Sequence, residues 1–244
     1  MAKKWVIPDI HGCAYTLQIL VENQIEPGKD DMLIFLGDYI DRGPDSKGVL
    51  DFIMGLEEKG YNVKPLMGNH EDYCVQAWEA DQKKSSLLGM RMKSFEQREW
   101  EKRGGKQTLM SFGVKSPREI PVKYINWMRK LDHYTEVDDF IIAHAGFNFE
   151  LDNPFEDKYS MIWIREFEVK PEKIKNKRLI HGHVPVNFDL IYQAIHSKNS
   201  PFIALDNGIY FTNRKGFGNL IALELTEMEY IAQTLLDEVT YKGE

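Results

Sequence analysis

Short apolar runs alternate with polar loops and amphipathic segments along the first third of the chain. Residues 4–7, 32–36 and 62–67 predict three β-strands, because each is a short, mostly apolar run bounded by turn residues. Residues 14–23 and 46–59 carry leucine, isoleucine or valine at helical spacing and predict a helix after each of the first two strands. This order predicts an α/β fold in which the loops after parallel strands gather at one edge of a sheet.

The composition changes between residues 73 and 131, where Lys, Glu, Gln, Met and Trp are abundant and β-branched runs are absent. This stretch predicts several helices, interrupted at Gly104-Gly105, and we interpret it as a helical cap inserted into a single domain of residues 1–244. Strands are expected to resume at 140–143, 178–180, 189–194, 202–205, 219–225 and 229–235. The close spacing of the last segments, with a turn signal at 206–208, predicts antiparallel hairpins.

The loop after the second predicted strand, Gly37-Asp38-Tyr39-Ile40-Asp41-Arg42-Gly43, places two carboxylates and an arginine between two glycines. Glycine lets the backbone turn sharply and approach a ligand closely. An Asp at the carboxyl end of a strand is well placed to hold a metal ion, and an Arg beside it to hold a phosphate. Taken alone, the run is equally well an acidic turn with an internal salt bridge, so its meaning depends on partners elsewhere in the chain.

Four other loops at strand ends carry candidate partners. They contribute Asp9 with His11, Asn69 with His70, His144, and His183. Asp9 and His11 are two residues apart in a tight loop and can chelate one ion through a carboxylate oxygen and an imidazole nitrogen. A single such residue is more often a cap or a solvated side chain, but five loops in register predict a shared metal centre.

In this order, the motifs Asp-x-His-Gly, Gly-Asp-x-x-Asp-Arg-Gly, Gly-Asn-His-Glu, His-Ala-Gly and Gly-His resemble the metallophosphoesterase signature. More narrowly, the chain resembles the PPP family of serine/threonine phosphatases, with its bacterial members and the related dinucleoside-polyphosphate hydrolases. The resemblance implies a calcineurin-like fold, with two mixed β-sheets packed in a sandwich and flanked by helices. The chain departs from the family at Pro8, where relatives have Gly and a backbone donor, and at Val184, where many have Thr.

The resemblance also implies two divalent metal ions, with Mn²⁺ expected and Fe, Zn²⁺ or Ni²⁺ as alternatives. The residues that it assigns to them are Asp9 and His11 for the first ion, Asp38 for both ions, and Asn69, His144 and His183 for the second. Mixed carboxylate, amide and imidazole ligands suit these ions better than Mg²⁺ alone. Paired ions of this kind clamp phosphate oxygens and generate a hydroxide nucleophile near neutral pH.

The remaining catalytic roles follow from the same resemblance. Arg42, and Arg165 in a segment like the family's Trp-x-Arg, would bind phosphate oxygens. His70 would protonate the leaving oxygen, while Asp41 would fix the imidazole tautomer and raise the pKa of His70. We interpret Glu71 as a support for the His70 loop. The tryptophans at helical positions, Trp78, Trp100 and Trp127, are interpreted as packing residues.

Three functions remain open at this point. The leading hypothesis is a serine/threonine protein phosphatase. The alternative is a dinucleoside polyphosphate hydrolase acting on substrates such as diadenosine tetraphosphate, and residues 104–109 (GGKQTL) resemble a segment of small bacterial phosphatases that include such enzymes. A third hypothesis is a catalytically inert metal-binding scaffold, against which the complete set of candidate ligands argues.

Composition limits the partners and the compartment. A formal net charge of −7 argues against a general binder of nucleic acid or of anionic membranes, although it allows a local phosphate site. The two cysteines do not form a disulfide framework, and the N-terminus leads into the first strand without a signal-peptide region. We therefore expect a soluble cytoplasmic protein whose partner is a phosphoprotein or a nucleotide polyphosphate. The sequence makes no prediction about oligomeric state.

Overall fold

The computed structural model describes residues 2–83 and 92–241. Its strands are β1 (Lys4–Ile7), β2 (Met32–Phe35), β3 (Asn62–Pro65), β4 (Tyr134–Val137), β5 (Phe140–Ala143), β6 (Arg178–His181), β7 (Phe202–Ala204), β8 (Asn219–Glu224) and β9 (Tyr230–Thr234). Its α-helices are α1 (Ala14–Ile19), α2 (Ser46–Glu58), α3 (Asn69–Gln82), α4 (Phe95–Trp100), α5 (Lys106–Ser111), α6 (Val122–Met128), α7 (Lys158–Trp163) and α8 (Phe188–His196). Wider helical turns extend α1 over Leu20–Ile25 and join α4 to α5 over Glu101–Gly105.

The strands form two mixed sheets, as expected for this fold class. The first sheet has the order β3-β2-β1-β8-β9, and the second has the order β4-β5-β6-β7. Strands β1, β2 and β3 are parallel to one another, and so are β5, β6 and β7. Each sheet therefore directs the loops after several strands toward the same edge.

The two sheets share a buried apolar layer. Val6 and Ile34 of the first sheet belong to one cluster with Ile142 and Ile180 of the second. Their neighbours along the strands point to the opposite faces, where α1 and α2 cover the first sheet and aromatic side chains cover the second. This alternation is the period-two pattern of strands packed on both faces, and each fully buried isoleucine contributes roughly 1.5–3 kcal/mol.

Helices occupy the described part of the predicted helical stretch, from α3 to α6. Trp100, Leu109 and Tyr124 are buried there and join the same apolar cluster as Leu17 of α1 and Ile53 of α2. Helices α3 to α6 therefore pack on the side of the first sheet that α1 and α2 cover. Residues 84–91 of the predicted cap lie outside the described residues. In the described ranges, no helix combines the length and apolarity that crossing a bilayer requires.

The strands differ from the predictions at three places. The predicted strand at 189–194 is wrong, because this segment is part of α8, where Asn187 caps the helix and Ile191 and Ile195 bury one helical face. Strand β4, which pairs antiparallel with β5, has no counterpart among the predicted strands. The turn signal at 206–208 does not close a hairpin, because β7 and β8 lie in different sheets; β8 forms its hairpin with β9.

Candidate functional site

All five predicted loops meet at the carboxyl ends of β1, β2, β3, β5 and β6. The predicted metal ligands are buried there, namely Asp9, His11, Asp38, Asn69, His144 and His183. In the first loop, the backbone N–H groups of Ile10 and His11 both donate to the carbonyl oxygen of Asp38, at 3.1 and 2.8 Å. The loops after β1 and β2 are therefore tied together by main-chain hydrogen bonds.

Left-handed backbone is concentrated in these loops. Among the described non-glycine residues with positive φ are His11 (47°), Asp38 (53°), Asp41 (74°), Arg42 (68°) and His183 (71°). Such conformations cost about 1–3 kcal/mol each and persist where the surrounding structure holds them. The site residues are thus held in unfavourable backbone geometry by their neighbours.

Glu71 holds two of these loops against each other. Its buried carboxylate accepts hydrogen bonds from the N–H groups of Asp38 (2.8 Å), Tyr39 (2.9 Å) and Gly68 (3.1 Å). The N–H of His70 in turn donates to Oδ1 of Asp38 at 3.0 Å. The predicted supporting role of Glu71 therefore extends from the His70 loop to the loop after β2.

Four side chains converge in a geometry that fits a divalent ion. Oδ1 of Asn69 lies 3.0 Å from Nε2 of His144 and 2.9 Å from Nδ1 of His183, and the two imidazole nitrogens lie 3.2 Å apart. Oδ1 of Asp38 lies 3.4 Å from Nε2 of His144. Ligand atoms about 2.0–2.1 Å from a tetrahedral ion are separated by about 3.4 Å. The Nδ1–H of His144 donates a hydrogen bond to the carbonyl oxygen of Leu36 (3.1 Å), which leaves Nε2 free to coordinate an ion.

The other predicted set is brought together in part. His11, Asp38 and His70 each offer a ligand atom within 4.8 Å of the others, and Nδ1 of His11 donates to the carbonyl oxygen of Ile40 (3.1 Å). The guanidinium of Arg42 reaches between the imidazoles of His11 and His70. Asp9 is outside this compact group, and its carboxylate accepts from the N–H of His183 at 3.1 and 3.2 Å.

Asp206 is a further buried carboxylate. It lies in residues 204–208, which resemble the family's late Asp-x-Gly strand end, but the resemblance assigns it no role. Its Oδ1 accepts from the N–H of Gly208 (2.7 Å), whereas Oδ2 has no hydrogen-bond partner among the described residues. Burial raises the pKa of Asp206 to about 7. Burial, followed by the charge of Asp206, also raises the pKa of Asp9 well above its ordinary value. This concentration of buried acids fits a group of divalent cations.

The pKa values of the histidines in the site are lowered, whereas those of the acids are raised. Burial lowers the pKa of His144 and of His183 to about 3, so both imidazoles are neutral and available as ligands. Burial, with the charge of Arg42 as the next cause, lowers the pKa of His70 well below its ordinary value. The net pKa of His70 is therefore lowered because of desolvation, and the upward contribution expected from Asp41 stays a prediction.

The His70–Asp41 pair is nevertheless formed as predicted, with Nδ1 of His70 2.7 Å from Oδ2 of Asp41. Two side chains that the sequence does not connect with Asp41 also donate to it. They are Nε1 of Trp100, at 2.8 Å, and the hydroxyl of Thr108. The interpretation of Trp100 as a packing residue is incomplete, because its buried ring also carries this donor.

A cavity of about 490 Å³ opens beside these residues. It is lined by Arg42, Glu99, Lys102, Arg103, Arg165, Tyr210, Phe211 and Tyr241. The two predicted phosphate-binding arginines thus share one cleft, and the guanidinium of Arg42 lies 4.3 Å from the centre of the Tyr210 ring. The sequence does not point to Lys102, Arg103 or the aromatic residues, since they lie outside every motif. A larger cavity of about 610 Å³, between α8 and β9, contains none of the predicted site residues.

Comparisons with known proteins agree with this geometry. The family model described as "Calcineurin-like phosphoesterase" matches residues 2–214. A symmetrical bis(5'-nucleosyl)-tetraphosphatase from Buchnera aphidicola subsp. Acyrthosiphon pisum is 28% identical over 153 residues, covering 61% of this chain and 46% of that protein. Serine/threonine-protein phosphatase 1 from Salmonella typhimurium is 40% identical over 74 residues, covering 30% of this chain and 32% of that protein. The chain thus spans less than half the length of either relative.

Solved structures share the fold at low sequence identity. A putative diadenosine tetraphosphatase superposes with a TM-score of 0.56 at 17% identity, covering 95% of this chain and 92% of that one. A protein serine/threonine phosphatase from Saccharomyces cerevisiae gives a TM-score of 0.60 at 15% identity, covering 99% of this chain and 81% of that one. The family match over most of the sequence, together with these folds, leads to one conclusion: the chain belongs to the calcineurin-like phosphoesterase family.

Proposed function

We propose that this phosphoesterase hydrolyses dinucleoside polyphosphates, with diadenosine tetraphosphate as the model substrate. The observation that carries the proposal is the composition of the 490 Å³ cleft, which combines four cationic side chains with three aromatic rings. Glu99 holds Lys102 and Arg103 side by side, at 2.6 and 3.0 Å. With this one carboxylate counted, the cleft keeps a net charge of three positive units on a chain whose formal net charge is −7.

This cleft suits a polyphosphate with a nucleoside at its end. Arg42 and Arg165 bind the phosphate under attack, while Lys102 and Arg103 extend the positive charge along the cleft for the phosphates that follow. The rings of Tyr210, Phe211 and Tyr241 offer faces on which a base stacks, an interaction worth about 1–3 kcal/mol per base. Several of the matched relatives carry the name bis(5'-nucleosyl)-tetraphosphatase, which supports the same substrate class.

The residues of the site divide the reaction among them. Divalent ions, with Mn²⁺ as our first choice, supply charge neutralisation and an activated water when bound by the predicted ligands. Arg42 and Arg165 stabilise the charge that gathers on the phosphate oxygens in the transition state. His70, held by Asp41 through Nδ1, would act as the acid in its doubly protonated form, giving the proton on Nε2 to the leaving oxygen and ending as the neutral imidazole.

The leading hypothesis from the sequence, a serine/threonine protein phosphatase, is the second candidate. The match to the Salmonella protein phosphatase favours it, and it uses the same site. An inert scaffold is a weaker hypothesis. Two groups of candidate ligands and the His70–Asp41 pair are buried close together, and both arginines line the cleft beside them.

A parallel assay with added Mn²⁺ tests the proposal. We expect faster turnover of diadenosine tetraphosphate than of a phosphoserine peptide, with both activities lost on chelation. Arg103→Ala should raise KM for diadenosine tetraphosphate about tenfold, and more than KM for p-nitrophenyl phosphate, since it removes one charge-assisted contact.

Arg98→Ala is the matched control for this assay. Arg98 is an exposed arginine of α4 that contacts the carbonyl oxygen of Lys93 (3.1 Å) and does not line the cleft. It should leave both KM values within about twofold, as surface substitutions do. A phosphopeptide turned over faster than the dinucleotide, or equal effects of the two arginine variants, would contradict the proposal.

A further inference from the structure

Residues 100–108, which join α4 to α5, form a continuous contact with the loop after β2. Trp100 begins the contact, with Nε1 donating to Oδ2 of Asp41 at 2.8 Å. Thr108 ends it, with its hydroxyl donating to Oδ1 of the same carboxylate. The N–H of Asp41 donates to Oγ1 of Thr108 and to Oγ of Ser46, both at 3.0 Å. Both carboxylate oxygens of Asp41 are therefore held by this one segment.

The two glycines inside the segment allow this contact to be close. Gly104 has a φ of 111°, and its carbonyl oxygen accepts from the N–H of Arg42 at 3.3 Å. A Cβ on Gly104 would lie 2.6 Å from the backbone nitrogen of Arg42, and one on Gly105 would lie 2.5 Å from the ring of Trp100. A side chain at either position would push the segment away from Asp41 and Arg42, because the space is already filled by backbone and by an indole ring.

Asp41 depends on these donors because it has no access to solvent. Its exposed fraction is 0%, and Trp100 and Thr108 have the same value. A buried carboxylate keeps a fixed orientation when all of its hydrogen-bonding capacity is used, and it rotates or recruits other partners when donors are removed. Oδ2 is shared between Trp100 and His70, so the orientation of the carboxylate also sets that of the imidazole.

We propose that Trp100 and Thr108 are positioning residues for the general acid of this enzyme. They fix the Asp41 carboxylate so that the Nδ1–H of His70 stays hydrogen-bonded to it. In the doubly protonated imidazolium, the second proton, on Nε2, is then directed toward the leaving oxygen, and His70 is left neutral after the transfer. The inference rests on the role proposed above for His70. It assigns to residues 100–108 a part in proton delivery, in addition to any part in substrate recognition.

A leaving-group series tests the proposal. General-acid catalysis matters most when the leaving oxygen is basic, and little for p-nitrophenolate. Thr108→Val keeps the shape and removes the hydroxyl, so it should lower kcat about tenfold or more for phenyl phosphate and less than threefold for p-nitrophenyl phosphate. Trp100→Phe, which removes the indole N–H, should act in the same direction. Thr108→Ser restores a hydroxyl and should recover most of the loss on phenyl phosphate.

A matched control separates positioning from a loss of stability. Thr16 is another fully buried threonine, and its hydroxyl donates to Asp237 at 2.6 Å, outside the contacts described for the site. Thr16→Val should lower the melting temperature without changing the ratio of the two kcat values. In the metal-free protein, proton NMR should show a downfield Nδ1–H resonance for His70, which Thr108→Val shifts and Thr16→Val does not.

The outcomes distinguish this inference from the role of His70 itself. If His70→Asn lowers kcat equally for both esters, the general acid has been assigned wrongly and the inference falls with it. If His70→Asn lowers kcat mainly for phenyl phosphate but Thr108→Val lowers kcat equally for both esters, only the positioning role is overturned. An unshifted His70 resonance in Thr108→Val would also overturn it.

Discussion

At the scale of single residues, the three charged side chains after β2 have three different environments. Asp38 faces both groups of candidate ligands, with its carboxylate oxygens 3.6 Å from Nε2 of His11 and 3.4 Å from Nε2 of His144. Asp41 contacts His70 and the donors of residues 100–108. Arg42 faces the cleft and packs its guanidinium over Tyr210. Adjacent positions in one loop are therefore expected to carry distinct functions.

Asparagine substitutions separate two of these functions. Asp38→Asn removes the charge shared by both ligand groups, so we expect metal affinity to fall more than about tenfold and activity to fall with it. Asp41→Asn should retain the metal content while losing turnover of substrates with basic leaving groups. Metal content by inductively coupled plasma mass spectrometry, measured beside kcat, checks both expectations. Equal metal loss in the two variants would show that Asp41 acts on the ions directly.

The sequence motifs identify the residues that follow strands, because strand ends are recognisable from apolar runs. Asp206 and Thr108 lie in segments that resemble the family, but the motifs give neither residue a role in the site, since nothing in a single sequence shows which distant loop packs against which. Trp100 illustrates the limit: an aromatic residue at a helical position indicates burial, but the direction of its N–H depends on the tertiary contact. Glu71 is recognisable only because it adjoins His70.

At the scale of elements, the site depends on how closely the turns after β2 and β3 approach each other. Gly37 has a φ of 110°, and a Cβ built on it would lie 2.6 Å from the backbone of Gly68. Glu71, in the first turn of α3, then bridges these same two turns. The glycine and the buried carboxylate act together, because the hydrogen bonds form only if the two backbones are in contact.

Two alanine substitutions test this packing. Gly37→Ala should destabilise the protein by about 2 kcal/mol or more, through the positive φ and the collision with Gly68. Gly55→Ala is the matched control, because Gly55 lies inside α2 and a Cβ added to it would have nothing within 4 Å. It should stabilise the protein by up to about 1 kcal/mol. The melting temperature should therefore fall in Gly37→Ala and rise in Gly55→Ala, by about 2–4 °C for each kcal/mol of changed stability. A stable Gly37→Ala variant would mean that the turns can separate without cost.

The elements that can be predicted are those with a clear period. The first three strands and both intervening helices appear as expected, with ends shifted by a few residues at most. The sequence of helix α8 resembles that of a strand because Leu190, Ile191 and Tyr192 form a short apolar run, although Ile191 and Ile195 are spaced for a helix. Strand β4 contains a glutamate and no apolar run, so only its pairing with β5 reveals it.

At the scale of the whole molecule, the two sheets concentrate ionisable groups in one buried region. This region contains the buried acids Asp9, Asp38, Asp41, Glu71 and Asp206 and the buried histidines His11, His70, His144, His181 and His183. Burial raises the pKa of every one of these acids and lowers the pKa of every one of these histidines. Metal-free folding therefore desolvates many charges, a cost that bound cations offset.

The stability of the chelated protein should consequently depend on pH. Below about pH 6.5, histidines that are neutral in the folded chain are protonated in the unfolded chain, so they make the free energy of unfolding rise with pH. The buried acids have the opposite effect on the free energy of unfolding. Above that pH, Asp206, with a pKa of about 7, keeps a proton that the unfolded chain has released. Stability should then fall as pH rises from 6.5 to 8, by up to about 1.4 kcal/mol per pH unit for each proton involved.

Calorimetry with and without Mn²⁺ checks this expectation. The melting temperature of the chelated protein should decrease across this pH range, and added Mn²⁺ should raise it and flatten the slope, since cations stabilise the ionised carboxylates. The Asp206→Asn variant should show a shallower slope when chelated. A melting temperature that rises with pH in the absence of metal would contradict the expectation.

The left-handed backbone at Asp41 and Arg42 affects which amino-acid exchanges the chain would accept if its activity were no longer under selection. With φ values of 74° and 68°, both residues occupy a region that glycine enters without the cost of about 1–2 kcal/mol paid by other residues. Glycine at Arg42 would therefore relieve strain while deleting the guanidinium, whereas glycine at Asp41 would also leave the buried donors of Trp100 and Thr108 without their acceptor. Selection for folding alone would therefore favour the exchange at Arg42 and oppose the one at Asp41. Arginine at position 42 is the residue of this loop that backbone stability does not explain.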